Sequence, residues 1–68
     1  MKFKLRGEFI ELDNMLKVRE LVPKGSDAKK HIHAGEVLVN GEVETRVRRK
    51  LYDGDVVEFS GQRIMVTA

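Results

Sequence analysis

Sixty-eight residues with 13 Lys and Arg against 11 Asp and Glu leave a formal net charge of +2, and no residue is cysteine. That length allows one small domain that buries only about 60% of its unfolded surface, and the missing thiols exclude a disulfide or a zinc–thiolate staple. No apolar run approaches the roughly 20 residues of a membrane span, and the opening MKFKLRGEF carries too much charge for a signal peptide, so a soluble cytoplasmic protein is expected.

In chain order, Lys2 to Arg6 alternates, with Phe3 and Leu5 on one face, and predicts a short strand ended by Gly7. The spacing of Leu12, Met15 and Leu16 predicts a helix over about residues 11–20, with a weak N-cap at Glu11 and Pro23 as its stop. Lys24-Gly25 is a turn. Ser26 then serves as N-cap of a second helix, Asp27 complements its dipole, and Gly35 closes it after Ala34. Glu36 to Val39 is a strand, Asn40-Gly41 is a hairpin signal, and Glu42 to Thr45 returns. The basic run Arg46 to Lys50 leads into Leu51-Tyr52 and the Asp53-Gly54 turn. Val56 to Phe59 and Ile64 to Val66 are strands joined by Ser60-Gly61. Strand, two helices, then four strands predicts an α+β domain with helices segregated from the sheet. Phe3, Phe9, Met15 and Phe59 are expected in the core, and Tyr52 at its edge.

Charge is unevenly spread. Residues 1–23, 24–50 and 51–68 carry nets of +1, +3 and −2. A basic middle beside an acidic tail suits a polyanionic partner. At about 100° per residue, Ala28 and Ile32 share the inward face of the second helix, which turns Lys29, Lys30 and His33 outward. His31 lies nearer the apolar face and is expected to be structural. If residues 46–50 are extended, Arg46, Arg48 and Lys50 project to one side and Val47 and Arg49 to the other. A hairpin folded back on the helix would bring 29–33 and 46–50 onto one surface.

Metal chemistry finds little purchase. His31 and His33 diverge by about 200° on a helix, and no third ligand is near. No phosphate-binding glycine loop and no nucleophile–base pair is visible, so neither a catalytic residue nor a cofactor is expected.

The series Ser26, Ala28, Lys29, Lys30, Ile32, Gly35, Val37, Val39, Asn40, Gly41, followed by Lys50 and Gly54-Asp55-Val56-Val57, resembles the RNA-binding motif first seen in small-subunit ribosomal protein four, the S-four domain. Leu12, Asp13, Leu16 and Lys17 fit that domain's first helix. The resemblance spans about residues 10–60 of a single domain covering 1–68. In length and in the run from Arg46 to Glu58, the chain looks like the short stand-alone bacterial members of YaaA/YbcJ type.

This resemblance implies two helices packed on a small, bent, mostly antiparallel sheet. It also implies binding of structured RNA, of ribosomal or transfer type, on or near the ribosome. The implied contacts are Lys24, Ser26, Lys29, Lys30 and His33, together with Arg46, Arg48, Arg49 and Lys50. Two other readings are open. One is a protein-interaction or dimerisation module pairing through a sheet edge. The other is a helix-turn-helix DNA binder, which is disfavoured because the second helix is short and lacks Arg, Asn or Gln for base edges.

Overall fold

A computed structural model describes residues 1–68. The elements are β1 (Lys2–Lys4), β2 (Ile10–Glu11), α1 (Leu12–Val18), α2 (Gly25–His33), β3 (Val37–Val39), β4 (Glu42–Val43), β5 (Lys50–Leu51), β6 (Val56–Phe59) and β7 (Gln62–Thr67). The architecture is α+β, as the element order implied. A five-stranded sheet runs in the order β1-β7-β6-β3-β4, and β2 with β5 forms a separate two-stranded ribbon. Every pairing is antiparallel except β1 on β7, which is parallel.

Alternation places Val37, Val39, Val57, Phe59, Ile64 and Val66 on the inner face of the sheet. The helices complete the core with Leu12, Met15 and Leu16 from α1 and Ala28 and Ile32 from α2, all fully enclosed. Leu51 of the ribbon joins them. Phe3 packs against this core only in part, and Phe9 departs from expectation by standing 40% exposed.

Five turns rest on left-handed backbone, the one at Gly54 (φ 95°) among them. Asn40 (φ 53°) and Gly41 (φ 84°) give the two positive φ angles of a type I′ hairpin turn, and Ser60 (φ 53°) and Gly61 (φ 76°) repeat them. Both helices end in a Schellman motif. In α2 the Glu36 N–H donates to the His31 carbonyl and the Gly35 N–H to Ile32, each at 3.1 Å, with Gly35 at φ 78°.

In α1 the same two bonds run from Leu21 to Leu16 at 3.0 Å and from Glu20 to Lys17 at 2.9 Å, with Glu20 at φ 59°. The stop for α1 is therefore Glu20, several residues before Pro23, and the helix is shorter than its apolar spacing suggested. At the other end of the turn, Ser26 is not the N-cap of α2. The extended residue is Lys24 (φ −140°), and Ser26 lies inside the first turn with no capping bond.

Glu20 occupies a conformation that costs an L-residue about 1–2 kcal/mol. Glu20→Gly is expected to raise stability by about 0.5–1 kcal/mol, once the added backbone freedom of glycine is set against that strain. Gly35→Ala is expected to lower it by a similar amount. Thermal melts of the two variants should move in opposite directions.

Candidate nucleic-acid interface

The basic residues fall into two groups with different surroundings. Lys24, Ser26, Lys29, Lys30 and His33 are all exposed on α2 or its lead-in, and none of their side chains joins an ion pair or hydrogen bond. The enclosed Ala28 and Ile32 hold the helix by its other face, so these side chains point to solvent. His31 is different. Its Nδ1 lies 2.7 Å from Glu36 Oε1 and its ring meets Phe59 edge-on at 5.0 Å, which is the structural role expected of it.

The run 46–50 is not extended. Residues 47–48 form a turn in which the Arg49 N–H donates to the Arg46 carbonyl at 3.3 Å. Alternation therefore does not sort the side chains; a carboxylate does. Glu44, 9% exposed, takes a bidentate pair from Arg46, Nε to Oε2 and Nη2 to Oε1, both at 2.9 Å. The Arg46 N–H adds a third bond at 3.0 Å. Arg49 Nε lies 3.1 Å from Glu44 Oε1, and its Nη1 reaches Asp55 Oδ2 at 3.3 Å.

Asp55 is in turn held by the Tyr52 N–H at 2.8 Å and the Asn40 amide at 3.0 Å, while Asn40 Oδ1 accepts the Val56 N–H at 2.9 Å. The chain of contacts Arg46–Glu44–Arg49–Asp55–Asn40 thus ties the β3–β4 hairpin to the turn before β6.

Both carboxyls are shifted. The Arg46 hydrogen bond draws the Glu44 pKa down from 4.5 to about 2, against the opposing effect of burial, with further help from the charges of Arg46 and Arg49. Burial alone would raise Asp55, but the Tyr52 N–H, Asn40 and Arg49 hold it below the usual carboxylate range. Arg48 and Lys50 stay at the surface. Arg48 Nε lies 3.1 Å from Glu11 Oε2, and Lys50 Nζ sits 4.8 Å from the centre of the Phe9 ring.

The structure brings the two groups together only in part. The β3–β4 hairpin comes near only the residue that follows α2, where a methyl added at Gly35 would sit 3.7 Å from Val43 Cγ1. The run itself docks on α1, where the Leu12 N–H donates to the Arg49 carbonyl at 2.9 Å and the Asp13 N–H to Val47 at 3.1 Å. No hydrogen bond or ion pair joins residues 29–33 to 46–50. Glu44 and Asp55 organise this segment without a local motif to mark them beyond a carboxylate, Glu44, with arginines two and five positions later. No three His, Asp or Glu side chains converge as a metal site would require, and no helix is long and apolar enough to cross a membrane.

Comparison with known proteins places this geometry. The profile of the S4 domain family matches residues 3–67. The Bacillus subtilis protein named "Probable ribosome maturation protein RlbA" is 46% identical over 54 residues, covering 79% of this chain and 76% of that one. YbcJ of Escherichia coli is 41% identical over 59 residues, covering 87% and 84%. The solution structure of YbcJ, described as revealing an ALFAL motif involved in RNA-binding, superposes with a TM-score of 0.74 at 38% identity, over 98% of this chain and 86% of that one.

The Glu44 cluster sets an acid limit on the fold. A carboxyl whose folded pKa lies below its unfolded value stabilises fully above the unfolded value, here 4.5, and progressively less as pH falls toward about 2. Arg46 lies largely in solvent, which screens its share. Glu44→Gln is expected to cost about 1 kcal/mol at pH 7 and to flatten the loss of stability between pH 4.5 and 2. Urea unfolding at pH 7 and pH 3 checks both.

Proposed function

The chain belongs to the S4 domain family, and from that membership we propose that it is a non-catalytic protein that binds structured RNA. Family and relatives support RNA as the partner class: the YbcJ structure carries a motif involved in RNA-binding, and RlbA is named for ribosome maturation. Ribosomal or transfer RNA is the proposed target class, and the ribosome or one of its subunits in the cytoplasm the proposed setting. The ionised clusters of the chain are carboxylate–guanidinium pairs, not a nucleophile beside a base, which supports binding over catalysis.

One observation carries the reading. Lys24, Lys29, Lys30 and His33 form an exposed group of cationic or titratable side chains with no partner inside the molecule. Unpaired cations are free to replace counterions on a phosphate backbone, a contact that gives affinity and orientation and little sequence information. Ser26 lies beside them as a hydroxyl donor. From the post-hairpin segment, Arg48 and Lys50 would reach phosphate directly, while Arg46 and Arg49 contribute through charge already shared with Glu44 and Asp55. Recognition of this kind reads the shape of a folded RNA.

Binding of a labelled RNA hairpin, followed by fluorescence anisotropy across a salt series, tests this. Affinity is expected to fall steeply with salt, by about 0.7–0.9 log units per log unit of salt for each phosphate contact. Lys29→Ala with Lys30→Ala should weaken binding and reduce the slope by about 1.4 to 1.8. An unchanged slope, or equal affinity for duplex DNA in competition, would overturn the assignment.

A further inference from the structure

The β2–β5 ribbon has two faces. Ile10 pairs with Leu51 and Glu11 with Lys50. Leu51 is fully buried and Ile10 packs on the core, so this pair faces inward. Period-two alternation then sends Phe9, Glu11, Lys50 and Tyr52 to the outer face. The same register places Phe9 opposite Tyr52 one step beyond the ladder.

The chain has only four Phe and Tyr residues and no Trp, yet two of the four stand in water here. Phe9 is 40% and Tyr52 44% exposed. Their ring centres are 5.9 Å apart at 49°, an aromatic pair that leaves ring surface uncovered. One cation lies over the pair. Lys50 Nζ lies over Phe9 at 4.8 Å, and Arg48, itself exposed, neutralises Glu11, the one acid on this face of the ribbon.

The platform is also fixed in advance. The Tyr52 N–H is bound by Asp55 at 2.8 Å and its carbonyl by the Asp55 N–H at 3.0 Å. The next residues are pinned where the Gly54 N–H donates to Val66 at 2.8 Å. A ring mounted on so restrained a turn loses little freedom when a flat ligand settles on it.

We propose that Phe9 and Tyr52 form a stacking platform for one unpaired RNA base, with Lys50 placed to meet that nucleotide's phosphate. The inference rests on the reading of the chain as an RNA-binding protein and adds a contact off α2. Flat rings supply stacking for any base, and the neighbouring ammonium supplies charge complementarity to the backbone that carries it. The platform separates unpaired from paired RNA, because a base inside a duplex has no free face to offer.

The test compares two RNAs, a hairpin with an unpaired loop and a blunt duplex of the same stem. Anisotropy of the labelled RNA reports binding as a whole. Emission from Tyr52, the sole tyrosine, reports the platform, with tyrosine amide at equal RNA concentration correcting for absorbance. The hairpin should quench Tyr52 with the midpoint seen by anisotropy, and the duplex should not.

Tyr52→Ala with Phe9→Ala should weaken hairpin binding about tenfold, leave duplex binding within about twofold, and leave the salt slope unchanged. Tyr52→Phe should retain hairpin affinity. Circular dichroism confirms that each variant is folded. Salt-dependent hairpin binding without quenching, and with no loss in the double variant, overturns the platform and leaves the RNA reading standing. Absence of RNA binding in the anisotropy arm overturns both.

Discussion

The Glu44 carboxylate is the constraint on which much of this small structure depends. Only 15 of 68 residues are buried, and 14 of them are apolar; Glu44 is the exception. A core that thin, with no disulfide or metal to close it, needs another way to fix its loops. Glu44 supplies one, because Arg46 and Arg49, two of the three arginines of the following turn, close on it, and Arg49 passes the link to Asp55 and Asn40. Ion pairs at a surface contribute little singly. These are half withdrawn from water, with Arg49 and Asp55 side chains 24% and 18% exposed, and they form a connected series. No buried side-chain nitrogen or oxygen is left without a partner, so the withdrawal carries no unpaired polar group.

That arrangement divides the basic residues by use. The net charge of the middle third suggests a single positive surface, but Arg46 and Arg49 already spend most of their field on Glu44 and Asp55. The backbone of the same run is committed as well, since its Val47 and Arg49 carbonyls take the first N–H groups of α1, which has no side-chain cap. What would remain for a ligand is Lys50 on the ribbon, Arg48 beside it in an exposed pair with Glu11, and the unpartnered group on α2. Counting cations overstates the site; subtracting those already paired locates it.

The parts legible in the sequence are those set by local geometry. Asn40-Gly41 demands two positive φ angles, and a type I′ turn follows whatever lies around it. The inward face of α2 follows from 100° arithmetic on Ala28 and Ile32. The parts not legible are set by distant partners. β2 and β5 are two residues each and exist only because they meet across about forty positions. The turn at 47–48 depends on Glu44 before it and α1 beneath it. Glu20 ends α1 in a conformation its side chain does not favour, so no glycine marked the place. Phe9 reads as core by composition, and its alternation with Ile10 turns it outward, beside Glu11, only through the pairing of β2 with distant β5.

The two surfaces differ in the physics they can bring to one RNA. The α2 group acts through charge, which is long-ranged, weakened by salt over a Debye length of about 8 Å at physiological strength, and indifferent to base identity. The ribbon acts through ring faces, which work only at contact and lose little to salt. Charge alone would hold any folded polyanion, and stacking alone would hold any exposed base with modest affinity. On the proposed reading, the first would supply encounter and most of the affinity, and the second would favour RNA that offers an unpaired base. The Glu44–Asp55 series would matter to such selectivity because it ties the turn carrying Tyr52 to the β3–β4 hairpin, which follows directly on α2.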